Sequence, residues 1–201
     1  MTAPAVTIPA ALRLRGYRAV DLPLLSGDWL PGELLGLPVP GRPALADPAS
    51  VPPPSPGRGL AEEVLVLPET AFVRFSELDW VHRRARLEIG LRPGAAAVAG
   101  PLLRAALAHA HRTLNLRRVY GWFTPGAAHP HDAHDAPGRA AAHPRGADDA
   151  HPHDPRGGER PSAAEELLRS AGLSPEADVP QALWLDGRPV DRQIWGVFRH
   201  D

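Results

Sequence analysis

This 201-residue chain has no cysteine, and all 22 of its basic side chains are arginine. Without thiols there is no disulfide, no zinc–thiolate centre and no cysteine nucleophile. Aromatic residues are also scarce, at 5%. No apolar run approaches the ~18 residues of a membrane span, and the N-terminus lacks a basic stretch followed by an apolar one. The expectation is a cytoplasmic protein with no membrane partner. A formal net charge of −1 supplies no global field for nucleic acid. No basic and aromatic residues interleave along one surface, so no nucleic-acid partner is expected.

Proline and glycine are abundant, with 25 and 19 residues, so much of the chain lies outside regular structure. The length suits one core of ordinary size, and a single domain over 1–201 is expected. Eight prolines fall between Leu37 and Leu60. That density blocks helix and central strand, which predicts a loop over 37–60. From Ala127 to Arg160 there is no Val, Ile, Leu, Met or aromatic residue. Such a segment buries too little apolar surface to offset its ordering entropy, and an inserted, disordered segment is expected over 127–160. It holds six of the ten histidines, among them His131, His134, His151 and His153, interleaved with aspartates. Imidazole with carboxylate suits Zn, Ni or Cu. A closed site needs fixed geometry, however, so no metal site is assigned.

Periodicity predicts the regular elements. Alternation marks strands at Leu12–Arg18, Glu63–Leu67, Ala71–Trp80, Arg84–Leu91, Arg118–Thr124, Ala182–Leu185 and Gln193–Arg199. Asp21 can cap a short turn over Leu22–Leu25. Pro101 can open a helix whose buried face runs through Leu102, Leu103, Ala106, Leu107, Ala110 and Leu114. Ser162 with Glu165 forms a capping box for a last helix that Gly172 ends.

Three blocks together resemble the GNAT family of N-acetyltransferases, in the branch that includes the ribosomal-protein N-terminal acetyltransferases. Leu78-Asp-Trp-Val-His-Arg-Arg-Ala-Arg-Leu-Glu-Ile-Gly-Leu91 looks like that family's third and fourth strands. Leu102–Phe123 looks like its central helix and fifth strand. Arg160–Phe198 looks like its last helix and final strands. The resemblance implies an α/β fold: a mixed, mostly antiparallel sheet of six to seven strands with helices on both faces. It also implies acetyl-CoA as cofactor, held where the fourth and fifth strands splay apart. Its pantetheine would pair with the fourth strand as an added edge strand. Its pyrophosphate would sit on amides of the turn before the central helix.

Carried onto this sequence, the cofactor-binding residues are Leu91, Arg92, Ala97, Val98, Ala99, Gly100 and Arg104. The candidate catalytic residues are Glu88, Leu91 through its backbone amide, and Tyr120. Glu88 stands where the family sometimes places a carboxylate that deprotonates the amine through water. An arginine-paired strand residue is the plainer alternative. Tyr120 and Trp122 can line the cleft or pack in the core.

Several positions depart from the family. Gly94–Gly100 is about two residues short and lacks the usual Arg or Gln. Pro161 replaces an Asn, and Leu168 stands where a Tyr protonates the leaving thiolate. Two readings follow. One is an acyl-CoA-dependent N-acyltransferase acting on a primary amine, of a protein N-terminus or a small molecule. The other is a degenerate, non-catalytic binding or assembly partner. A homodimer is left open.

Overall fold

The computed structural model describes residues 12–26, 29–30, 32–36, 47–50, 61–126, 161–185 and 187–199. The insertion 127–160 and all but 47–50 of the proline-rich stretch 37–60 lie outside the described residues.

The alternating segments assemble into one seven-stranded sheet. Its strands are β1 (Arg15–Gly16), β2 (Ala61–Leu67), β3 (Ala71–Asp79), β4 (Arg84–Leu91), β5 (Arg118–Phe123), β6 (Ser174–Leu185) and β7 (Arg188–Phe198). Their order is β1-β2-β3-β4-β5-β7-β6. Every neighbouring pair is antiparallel except β4 with β5. This is the mixed, mostly antiparallel α/β sheet expected. Three expected strands differ clearly in extent. The first shrinks to Arg15–Gly16, the sixth begins at Ser174 rather than Ala182, and the seventh begins at Arg188 rather than Gln193. The sixth includes Pro175 and Pro180, which an edge strand tolerates because one side of its backbone needs no ladder donor.

Helices lie on both faces. On one face α2 (Ala99–Arg112) and α3 (Ala163–Ser170) share a core with Val73, Phe75, Leu87, Ile89, Val119 and Phe123. Leu103, Leu107 and Ala110 of α2 are buried there, as their helical spacing predicts. On the other face the short α1 (Leu22–Leu25) places Leu24 and Leu25 with Trp29, Val66 and Phe72. Val66 and Phe72 are one residue out of phase with Leu65 and Val73, so the pleat turns them to the opposite side. The edge of Phe72 meets the Trp29 ring at 5.0 Å.

Helix α2 starts at Ala99, two residues before the expected opening at Pro101. The first four amides of a helix have no intrahelical acceptor, so Pro101 still costs no hydrogen bond. The capping box at α3 is formed in both directions. Ser162 Oγ accepts from the Glu165 amide at 3.2 Å, and the Ser162 amide donates to Glu165 Oε2 at 3.1 Å. At α1, by contrast, the Asp21 side chain turns back. It accepts from both Arg15 guanidinium nitrogens at 2.7 Å and from the Arg18 amide at 2.9 Å. It ties β1 to the turn before α1 instead of capping α1.

Candidate functional site

The β4–β5 pair is where the sheet opens. The two strands pair only at Arg84–Arg118, Ala85–Val119 and Arg86–Tyr120. Beyond Arg86 and Tyr120 they separate, although β4 runs on to Leu91 and β5 to Phe123. The backbone groups of Glu88–Leu91 and Gly121–Phe123 therefore face a gap.

The chain itself fills that gap. Residues 32–36 run between the two strands, with bridges from Glu33 to Trp122 and from Gly36 to Gly90, both parallel. The Ile89 amide donates to the Glu33 carbonyl at 3.1 Å, and the Leu91 amide to the Gly36 carbonyl at 3.2 Å. The Leu34 amide donates to the Trp122 carbonyl at 2.6 Å. Within this segment Gly32, at φ 69, and Leu35, at φ 57, adopt the left-handed conformation, and Glu33 and Gly36 make the bridges. Leu34 is 0% exposed and Leu35 1%. Leu34 takes space that only a glycine at 121 leaves, since a Cβ there would lie 2.6 Å from its Cγ.

Glu33 carries the polar half of this contact and is 1% exposed. Its Oε1 pairs with Arg192 of β7 at 2.7 Å and accepts from Thr124 Oγ1 at 2.8 Å. The Arg192 guanidinium also stacks over the Trp122 ring, 4.4 Å from its centroid. Burial pushes the Glu33 carboxyl upward in pKa, while Arg192 and the Thr124 hydroxyl pull it back. Burial likewise lowers Arg192, and Glu33 opposes that. The second Glu33 oxygen, Oε2, has no hydrogen-bond partner among the described residues. Sequence reading did not single out Glu33 or Arg192. The one local cue was an apolar pair bracketed by glycines, Gly32-Glu-Leu-Leu-Gly36.

The expected catalytic residues are near this gap but engaged. Glu88 is buried on the face opposite α2. Its Oε1 accepts from Ser76 Oγ at 3.1 Å and pairs with Arg86 at 2.9 Å, while Arg74 stands 3.7 Å from its Oε2. This is the arginine-paired arrangement, in which Oε1 is engaged and Oε2 has no hydrogen-bond partner among the described residues. The Leu91 amide, expected to face a ligand, is spent on Gly36. Tyr120 donates its hydroxyl to Glu77. Burial first, and that bond second, push the Tyr120 hydroxyl up to about 12, so it stays protonated at neutral pH. Glu77 reaches it because a bulge between Ser76 and Asp79 holds Glu77 at φ 54.

Several of the expected cofactor residues have partners within the chain. Arg92 donates to the Pro23 carbonyl under α1. Ala97 and Val98 sit in a 3-10 turn before α2. The Val98 amide donates to the Ala95 carbonyl at 3.0 Å, and the Ala99 amide to the Ala96 carbonyl, so neither is offered to a phosphate. Gly100 lies beside Arg104, whose Nη1 would be 3.4 Å from a Cβ at 100. The residue that faces Gly100 from α3 is Leu167, 3.9 Å from that same point. Leu168, matched to the family's Tyr, is 0% exposed and part of the core.

An acyl-CoA molecule does not fit these residues as they stand. Residues 32–36 occupy the gap between β4 and β5, where they take the Ile89 and Leu91 amides and the Trp122 carbonyl. Among the described residues no group of three or more His, Asp or Glu could hold a metal. No described helix is long and apolar enough to cross a membrane.

No family description matches the chain, and no curated protein does. Solved structures do. The chain is similar to a mutant form of the spermidine N-acetyltransferase SpeG from Vibrio cholerae at 17% identity, covering 69% of this chain and 66% of that one, with a TM-score of 0.49. It is similar to a dodecameric spermidine N-acetyltransferase from Vibrio cholerae at 18% identity, covering 69% and 65%, with a TM-score of 0.49. The chain thus spans just under two thirds of the length of these proteins. Identity this low bears on fold alone, and the fold of this chain is read above from its own sheet.

Proposed function

We propose that this chain is an acyl-CoA-dependent N-acyltransferase that uses acetyl-CoA and a primary amine. One observation carries the reading. The gap between β4 and β5 accepts an extended, amide-bearing chain and satisfies it through the Ile89 and Leu91 amides and the Trp122 carbonyl. A pantetheine arm is such a chain, and strand-like addition to β4 is how it would be held. The side chains at the gap give little acid–base help, since Glu88 is paired with Arg86 and Tyr120 is a donor to Glu77. Any rate advantage would rest on positioning. A small amine or a peptide N-terminus both suit the acceptor role, and the narrower likeness to the ribosomal-protein branch rests on sequence alone.

The test is release of free thiol from acetyl-CoA by the purified chain, with polyamines in one arm and pooled peptides in the other. Amine-dependent release supports the reading and ranks the acceptors. No release with any amine, under conditions where acetyl-CoA binds, removes it.

A second reading has its own support. Gly36 caps the Leu91 amide, so the groove is complete without ligand. A GNAT-fold binding or assembly partner without turnover would look like this.

A further inference from the structure

We propose that residues 32–36 form a detachable internal strand, latched by Glu33 and Arg192, that withdraws locally and leaves the β4–β5 groove open to an extended amide-bearing ligand. The proposal rests on the acyltransferase reading only for the identity of that ligand.

Three observations carry it. The first is the attachment. Beyond Arg86 and Tyr120, β4 and β5 make no pairing with each other, so the segment can leave without breaking a β4–β5 ladder. It is held to the sheet by the three backbone bonds at Ile89, Leu91 and Leu34, and by Leu34 and Leu35, which pack in the main core.

The second is the latch. Glu33 is a buried carboxylate with one oxygen on Arg192 and Thr124, and with its other oxygen, Oε2, unpartnered among the described residues. A buried charge that is only partly hydrogen-bonded recovers little of its desolvation cost. The closed state is therefore poised rather than deeply favoured at this point. Water reaches the other partner. Arg192 lines an open cavity of about 610 Å³ with Pro125, Asp178, Asp191 and Gln193. Withdrawal returns Glu33 to water and leaves Arg192 facing that cavity.

The third is the fit. Gly121 keeps the groove free of a side chain at its β5 wall. A Cβ at 121 would meet Leu34 Cγ at 2.6 Å and the Leu87 carbonyl at 2.7 Å. Glycine at such a point marks a close approach of another chain. Here that chain is the protein's own, and the vacated groove would present the same backbone groups to a ligand of the same shape.

The experiment is residue-resolved hydrogen exchange on the full chain, as wild type and as Glu33→Gln. Local opening occurs below the global unfolding free energy. In the wild type the Leu34, Ile89 and Leu91 amides should exchange together, about tenfold or more faster than Val73 and Phe75 of β3, as a local opening requires. Glu33→Gln should raise those three by a further factor of about ten, leaving β3 unchanged, since a charge-assisted latch bond exceeds a neutral one. Acetyl-CoA should slow Leu91 while speeding Leu34, because the ligand takes β4's donor and not the segment's own.

Exchange of the three amides only at the β3 rate, in wild type and Glu33→Gln alike, would make residues 32–36 fixed core and overturn the proposal. Should Glu33→Gln fail to fold, the wild-type rates decide by the same comparison. Local opening that acetyl-CoA leaves unchanged upholds the detachable strand and instead counts against the acyltransferase reading.

Discussion

Leu34 sits where a side chain of Gly121 would be. The site of a Cβ at 121 lies 2.6 Å from Leu34 Cγ and 2.8 Å from its Cδ2. The two residues share one space at the point where the central sheet parts.

Gly121→Ala should therefore destabilise the fold by about 1–3 kcal/mol, the usual cost of an added methyl in a packed core. The Leu87 carbonyl, 2.7 Å from the same point, prevents easy relaxation. Adding Leu34→Ala should recover part of this loss, because the two changes act on one contact and are not additive. Urea titration of the two single variants and the double variant measures it. Additive losses would show that Leu34 does not seat there.

Leu168→Tyr should lower stability by about 1–3 kcal/mol through overpacking and a buried hydroxyl, because Leu168 is wholly buried in the core under α3. It should not raise turnover. Leu167→Tyr, one residue earlier and half-buried beside Gly100, should stay within about 0.5 kcal/mol of wild type, as partly exposed substitutions do. Thermal unfolding and thiol-release rates of the two variants separate the positions. A gain in turnover from Leu168→Tyr would instead place the family's acid at Leu168.

Arg192→Met should cost about 3–5 kcal/mol, because it leaves the Glu33 carboxylate buried without its cation. Arg192→Met with Glu33→Leu should be much closer to wild type, since a buried pair replaced by apolar side chains is often near neutral. Denaturant midpoints of the three proteins test this. Equal losses in single and double variants would mean that the pair itself, and not the stranded charge, carries the stability.

Asp21 sets an acid limit. The bonds from Arg15, together with the Arg18 amide, hold its carboxyl below the ordinary value of 3.8. A carboxylate lowered in the folded state binds fewer protons there than in the unfolded chain. Its stabilisation is present above 3.8 and is lost as pH falls through the lower folded value. Asp79, lowered chiefly by the His82 amide, adds a contribution of the same sign. Asp21→Asn should melt below wild type at neutral pH, and the two melting curves should converge in strong acid. A constant difference across pH would assign the effect to packing.

Local chemistry was legible where it was strong. The ends of β4, Arg84 and Leu91, follow from alternation. The Ser162–Glu165 box follows from its spacing and forms as read. The buried face of α2 follows from its period, and its start was misplaced only because Pro101 is tolerated anywhere in the first turn. The missed half of β6 contains Pro175 and Pro180, signals against a strand that an edge position overrides. The filling of the β4–β5 gap was not legible at all. Five residues carry no period, and the partners of Glu33 and Leu34 lie on β4, β5 and β7 and just beyond β5. Glu88 showed its spacing but not its neighbours, so its pairing with Arg86 and Arg74 had to come from the fold.

The Glu33–Arg192 pair also sets an order of events. Glu33 belongs to an early stretch of the chain, and Arg192 to the strand that completes the described sheet. Contacts that span so much sequence form late, after loop closure has been met by other means. During synthesis, β2 to β5 can pair while Arg192 is still inside the ribosome. Over that interval residues 32–36 have their β4 and β5 partners but no latch. The nascent protein thus passes through an unlatched form, and the emergence of β7 is what adds the Arg192 contact to Glu33.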